Sequence, residues 1–360
     1  MFWWTRGSAC SEAAALAMEA HVLSNVVTLL LVGGGLGALW RVRHDVVWRT
    51  AGRELVRRRP VALAVVGLYV LVALCDSYAW VGGREAVDGG DAVAVHEPRS
   101  VIDRLFPADF AEKSYSAPLA EHEFYGGAAL RYPGRHVLGT DILGRDVLHL
   151  TLKGARVALL IGGFTSLIVI PLALVFGVAA GYFGRRVDDG VFFVMSTLAS
   201  MPGLLLLIAL IMVLGRGTLQ VCLALGVTSW VGFCRVVRGE TLKVRELEYV
   251  QAAAALGLSD LRIIVRHVLP NLTHLVVITF VLLFSGLVLS EAVLSWLGIG
   301  IDGSWGQMID QARDELSRDP VIWWNLAAAS TALFALILTV NVLGDALRDV
   351  LDPRTLRERL

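Results

Sequence analysis

Runs without Asp, Glu, Lys or Arg dominate the chain: residues 157–184, 190–215, 217–234, 267–290 and 320–344, and also 60–81, which Asp76 interrupts close to one end. Crossing about 30 Å of hydrocarbon takes roughly 20 apolar residues of helix, at about 1.5 Å each. Each run is therefore a candidate span, although 217–234 is only narrowly long enough. The runs are continuous and do not alternate. Inside a bilayer only a helix or a closed barrel satisfies its own backbone, so the pattern predicts an all-α integral membrane bundle. Six core spans are expected at about 60–81, 157–181, 191–214, 217–235, 272–297 and 321–343. Pro171 and Pro202 fall inside two of them, and each is expected to kink its helix. A seventh uncharged stretch, 22–40, carries Gly33, Gly34, Gly35 and Gly37. It reads as an extra span, an interfacial helix or an uncleaved signal-like segment, with the span preferred.

Composition and charge sharpen this picture. Hydrophobic residues make up 56% of the 360 and charged residues 18%, where soluble domains carry about 25% charge. A single soluble core is excluded. Lys+Arg and Asp+Glu both total 32, so nothing points to a nucleic-acid partner. Residues 41–59 hold seven arginines against Asp45 and Glu54, which puts that segment of the N-terminal extension (1–59) in the cytoplasm. Alternation from there places 182–190, 235–271 and the tail 344–360 inside as well, with 19 basic against 12 acidic residues in all. The loops 82–154 and 298–320, with Arg216, carry 11 basic against 16 acidic and fall outside. Cys10, Cys75, Cys222 and Cys234 are scattered with no C-x-x-C; the last three sit in apolar stretches and read as small hydrophobes.

Two loops are far longer than the 2–8 residues or so that join helices in a bundle. The extracytoplasmic loop 82–154 is polar and irregular in its first half, then tightens into Gly139-Thr140-Asp141-Ile142-Leu143-Gly144-Arg145-Asp146. The cytoplasmic loop 236–270 predicts two short helices. In the first, Leu247, Val250 and Ala254 recur at helical spacing and Gly257 supplies a left-handed end. In the second, Ser259 is the N-cap, Leu258, Leu261, Val265 and Val268 form the apolar stripe, and Pro270 stops the helix before Asn271 opens the next span. The run Ala252-Ala253-Ala254-Ala255 has almost no side-chain bulk, so another surface can approach closely. Two readings stand open: an amphipathic pair lying on the membrane, or a docking element for a cytoplasmic partner.

Tyr249-Val250-Gln251-Ala252-Ala253-Ala254-Ala255-Leu256-Gly257, followed by His267-Val268-Leu269-Pro270-Asn271, resembles the EAA loop of permease subunits of binding-protein-dependent ABC importers. The Ala pair, the Gly, the spacing and the Leu-Pro match; Gln251 stands where the family has Glu and His267 where it has Ile. Three further stretches resemble the C-type subunit of the dipeptide/oligopeptide permease branch. They are Leu138-Gly139-Thr140-Asp141 with Gly144-Arg145-Asp146, then residues 290–300 with Ser304-Trp305-Gly306, and residues 343–354. Together the four cover about 137–354 in order, leaving out 1–59 and 84–132.

The resemblance implies the transmembrane domain of a type I ABC importer in the bacterial cytoplasmic (inner) membrane. Its implied partners are a second homologous permease subunit, one or two ATP-binding ATPase subunits, an extracytoplasmic substrate-binding protein and the bilayer. It also implies that Tyr249, Gln251, Ala252, Ala253, Gly257, Leu258 and Pro270 couple the loop 246–270 to the ATPase. No G-x-x-x-x-G-K-[ST] occurs in the chain, so hydrolysis is expected on a partner, with no cofactor or metal held here. Glu291 is an acid inside an apolar span, read either as a structural hydrogen-bonding group or, with Trp305, as a pathway or binding-protein contact. Asp76 reads as interfacial, His274 as an ordinary helix residue, and Asp141, Asp146 and His149 as a turn more readily than a metal site. Trp296, Trp305, Trp323 and Trp324 read as anchors at the outer boundary. Import of nickel or another small solute on the same architecture is the alternative, followed by a proton-coupled secondary transporter and a membrane-embedded enzyme.

Overall fold

The computed structural model describes residues 46–80, 99–106, 111–215 and 217–351; the candidate extra span 22–40 lies outside them. Helix α1 (Val46–Arg58) leads into α2 (Pro60–Ser77), which Pro60 opens from the first turn, where its missing N–H costs nothing. A short antiparallel ribbon then pairs β1 (Ala79–Trp80) with β2 (Arg99–Ser100), Ala79 opposite Ser100. It is followed by α3 (Val101–Leu105), whose Ser100 and Asp103 form a reciprocal capping box.

After the non-helical segment 111–146 come α4 (Val147–Phe183), α5 (Arg185–Ser200), α6 (Gly203–Leu214) and α7 (Thr218–Arg245). The loop expected on the cytoplasmic side holds α8 (Glu248–Ala255) and α9 (Asp260–Ile263), and a π-helical turn (Ile264–Val268) joins α9 to α10 (Leu269–Trp296). The outer helix α11 (Trp305–Glu315) and the last span α12 (Trp324–Leu351) complete the described fold.

Among the described residues, five stretches are long and apolar enough to cross a membrane: Pro60–Ser77, Val147–Phe183, Thr218–Arg245, Asp260–Trp296 and Trp324–Val350. The expected span 191–214 is not a straight helix. It is the pair α5 and α6, which meet at 92°. Pro202 forces this break: it disfavours helical backbone at the residue before it, and Met201 is extended at ψ 138°. Pro171, by contrast, stays inside a continuous α4. The spans also outrun their apolar runs. The 37 residues of α4 reach about 55 Å at 1.5 Å each, longer than the roughly 30 Å of hydrocarbon.

The core is organised around α4 and α7. Gly177 and Gly181 let the two backbones touch: a methyl group at Gly177 would stand 2.8 Å from Val237 and 2.9 Å from the carbonyl of Cys234, and one at Gly181 2.7 Å from Thr241. Small residues at helix contacts are the usual solution where lipid removes any hydrophobic drive to associate. Cys222 and Cys234 are buried on α7 among Val, Leu and Phe, as small hydrophobes.

The outer loop is more built than its composition suggests. Asp146 caps α4 through the N–H groups of Leu148 (2.8 Å) and His149 (3.2 Å), and Asp141 accepts from the N–H groups of Leu143 and Arg145. The turn reading of this segment is therefore the one the geometry supports. Buried His136 touches Asp146 through Nδ1 at 2.9 Å, and Glu112 accepts the N–H groups of Arg131 and Tyr132. Asp76, next to last in α2, meets protein in place of the expected headgroup contact: it is buried at 3% exposure, accepting from the Ser100 hydroxyl at 2.8 Å with Arg156 at 3.6 Å. Two of the four tryptophans differ from the anchor reading too. Trp305 and Trp324 are buried and pin the outer layer to α4 and the turn before it, donating to the carbonyls of Thr151 and Thr140. Trp296 and Trp323 remain exposed.

Gly177→Leu is expected to force α4 and α7 apart, costing about 1–3 kcal/mol as overpacking does. A lowered melting temperature of the detergent-solubilised chain relative to Gly163→Leu, where an added Cβ meets nothing, is the check.

Candidate functional site

The residues singled out from the sequence fall into two groups at opposite ends of α10. Pro270 and Glu291 are separated by about 30 Å of helix rise.

The cytoplasmic group is carried by α8. Leu247 is extended (ψ 139°) and turns the chain out of α7, and Glu248 sits in the first turn, where the helix dipole favours an acid. Val250 and Ala253, three residues apart, are buried against a cluster that includes Val178, Val237, Val244, Ile263, Val268 and Leu272. The helix ends in a Schellman motif: the Gly257 N–H donates to the Ala254 carbonyl (3.0 Å) and the Leu258 N–H to the Ala253 carbonyl (3.2 Å), with Gly257 at φ +77°. Leu258 packs on the same buried cluster. The other face carries Gln251, Ala252 and Ala255, all exposed, and ends in Leu256 at 81% exposure. An apolar tip and a smooth small-residue face thus project from a helix whose inner side is fixed.

The expected apolar stripes need correction. Leu247 and Ala254 are exposed while Val250 and Ala253 are buried; in the second helix Leu261 (72%) and Val265 (55%) face outward while Ile263 and Val268 face the core. Nor does Pro270 stop the second helix. The π-helical turn just before it opens the backbone, Pro270 takes the first turn of α10, and helix runs from Asp260 to Trp296. Ser259 has N-cap backbone geometry, without a hydrogen bond from its side chain.

Polar contacts tie this loop to three helices. The Gln251 amide donates to Glu246 at 3.2 Å, so the residue standing in for the family Glu is held by a neighbouring carboxylate. The Asn271 amide donates to the Tyr249 hydroxyl at 2.7 Å, and the Tyr249 ring lies 6.1 Å from that of His267. The Tyr182 hydroxyl donates to Asp260 at 3.0 Å, and Arg245 donates to the Tyr182 carbonyl at 3.1 Å. Arg238 grips Asp188 with two nitrogens, joining α7 to α5. Sequence reasoning did not single out Tyr182 or Arg245, because their partners are distant in the chain and no spacing marks them.

At the outer end Glu291 is buried at 3% exposure and takes the Ser295 hydroxyl as a donor. Ser295 Oγ in turn accepts from the Ile301 N–H (3.1 Å) and the Ser304 hydroxyl (3.0 Å), and Gly300 and Gly306 leave room for this tight fold of chain. The carboxylate is thus engaged within its own end of the bundle. Trp305, paired with Glu291 in the expectation, is buried, edge-on to Tyr69, and fills the space left by Gly154. Beside Ser295 lies an outer cavity of about 450 Å³ lined also by Thr218, Asp302, Gln307 and Asp310.

Asp103 holds the outer layer by charge. Burial raises its pKa, but hydrogen bonds from His149, Lys153 and the Ser100 N–H together outweigh that and hold it well below the usual carboxylate range. A depressed acid contributes stability that is present above its ordinary value and lost as pH falls through the depressed one. Asp103→Asn is therefore expected to lower the melting temperature at pH 7, with the deficit shrinking in strong acid; an equal deficit at all pH values would refute a charge-based role.

Comparison with known proteins places the chain. The model of the family described as binding-protein-dependent transport system inner membrane component matches residues 173–357. The dipeptide transport system permease protein of Bacillus subtilis is 38% identical over 229 residues, covering 62% of this chain and 70% of that protein. A putative peptide transport system permease protein of Brucella suis is 40% identical over 227 residues (62% and 75%), and the oligopeptide transport system permease protein of Haemophilus influenzae 34% over 230 (63% and 73%). Its helices and its matched segment agree: the chain belongs to the family of inner membrane components of binding-protein-dependent transport systems, as a helical multi-pass membrane protein.

Proposed function

We propose that this chain forms half of the translocation pathway of an ATP-driven importer of di- or oligopeptides, pairing with a second, homologous permease chain. ATP hydrolysis belongs to one or two separate ATPase subunits, and an extracytoplasmic binding protein delivers the cargo. The reading of the cargo is supported by the relatives, each named for peptide transport. A nickel-type importer or a proton-coupled carrier has no comparable support.

One observation carries the coupling role: α8 is fixed by its inner face and presents a nearly featureless outer one. Val250 and Ala253 are spent on the core, while Ala252, Ala255 and Leu256 are left for a partner. A groove on the ATPase that receives this helix gains apolar contact from Leu256 and close backbone approach along the alanines. Tyr249 and Gln251 are held by Asn271 and Glu246, so they present fixed polar groups at the base of the same face. Gly257 matters for shape: an added Cβ meets nothing, but φ +77° costs an ordinary L-residue about 1–2 kcal/mol.

Leu256→Glu is expected to leave the bundle folded and reduce ATPase co-purification with the tagged permease about tenfold or more, as loss of a buried anchor does. Gly257→Val is expected to abolish uptake of a radiolabelled dipeptide by cells carrying the whole transporter. Normal co-purification by the first variant together with normal uptake by the second would overturn the proposal.

A further inference from the structure

Tyr182 lies one residue from the C-terminal end of α4, 66 residues before the proposed docking helix begins at Glu248, and the sequence gives no reason to connect the two. In the fold, both ends of the docking element converge on it. Arg245, which ends α7 just before α8, donates through Nη1 to the Tyr182 carbonyl at 3.1 Å. Asp260, which begins α9 just after α8, accepts from the Tyr182 hydroxyl at 3.0 Å. The same guanidinium is steadied by Glu246 at 3.0 Å. The element bracketed by residues 245 and 260 is thus held on one side chain and its own backbone, from a helix that is not its neighbour in sequence.

The surroundings give that grip a direction. Just above Tyr182, Gly177 and Gly181 let α4 lie directly on α7, with Val237 and Thr241 closing the contact. Tyr182 also packs on the buried cluster that receives Val250 and Ala253. Displacement of α8 therefore meets a stiff connection toward α4. The connection toward α10 is different: it passes through the π-helical turn Ile264–Val268, where the regular hydrogen-bond ladder is interrupted, and π turns inside helices mark places where a helix can adjust.

We infer that Tyr182 is the positioning residue that makes α4 follow the docking helix, while the π-helical turn lets α10 adjust independently. This rests on the docking role proposed above for α8. The Tyr182–Asp260 bond is exposed, so it adds little to folding; its function is to keep two bodies in register under load.

The test uses the complete transporter, reconstituted with its ATPase subunits and binding protein in proteoliposomes. Tyr182→Phe keeps the ring and removes the donor. Hydrolysis stimulated by the cargo-loaded binding protein is expected to fall about fivefold, the scale of one lost hydrogen bond, with the amount of ATPase retained on the permease unchanged. Asp260→Ala reaches the same bond from its exposed partner and should match it, and the double variant should be no worse than either single one. Asp260→Asn, which keeps an acceptor oxygen, should retain most of the stimulation.

Spin labels at Arg262→Cys, exposed on α9 beside Asp260 and outside the face left for the ATPase, and at Val175→Cys on α4 give a readout that mere destabilisation does not move. Their distance distribution should be the same in the nucleotide-free and vanadate-trapped states of the otherwise unaltered protein, and should broaden on trapping in Tyr182→Phe. Full stimulation in Tyr182→Phe with ATPase retained, or an unchanged distribution on trapping, overturns the inference alone. A transporter in which Leu256→Glu retains its ATPase overturns instead the docking role beneath it.

Discussion

The contact between α4 and α7 is the constraint on which the rest of the molecule depends. Two glycines one helical turn apart, Gly177 and Gly181, replace side chains with backbone, and the opposing Val237 and Thr241 fill the space they leave. In lipid, apolar side chains gain nothing by leaving one apolar medium for another, so helices associate through close packing and hydrogen bonds. Because these glycines lie near the cytoplasmic end, the closest approach of the two spans falls beside the place where the loop after α7 emerges. The loop therefore starts from a fixed base, and its buried residues, Val250 and Ala253, have a formed surface to settle on.

The two ends of the bundle solve different problems with the same means. Outside, polar groups are consumed internally: Glu291 by Ser295, Asp141 by the backbone of its own turn, Glu112 by the N–H groups of Arg131 and Tyr132, and the indoles of Trp305 and Trp324 by carbonyls. A buried polar group left without a partner costs far more than a made hydrogen bond gains, so such a layer is over-determined. Inside, the cytoplasmic loop spends polar contacts on orientation and leaves apolar surface uncovered at Leu256, Leu261 and Val265. Uncovered apolar side chains beside the small-residue face of a fixed helix are what a partner surface requires.

The broken span is the clearest departure from a simple reading. Residues 190–215 look like one crossing because hydropathy counts residues and ignores backbone direction. Pro202 turns the chain by 92° there, and the 12 residues of α6 alone rise about 18 Å, short of a bilayer. The same element, proline, is harmless at Pro60 and Pro270, where the first turn of a helix needs no donor, and it is accommodated at Pro171 inside α4. Residue type set the options at each position, and neighbours chose among them.

The sequence by itself determined the class of the molecule. Apolar run length specified helical spans, and Gly257 specified the end of α8, whereas α4 begins at Val147, ten residues before its apolar run. These properties depend on residues close in the chain, where period, capping and φ preference act locally. Tertiary structure alone decided which face of each loop helix is buried and that Asp76, Trp305 and Trp324 turn inward. It also brought Tyr182 to Asp260, 78 residues apart. In these cases the competing arrangements are locally equal in energy, and the choice is made by packing against helices that the chain reaches only after folding back on itself.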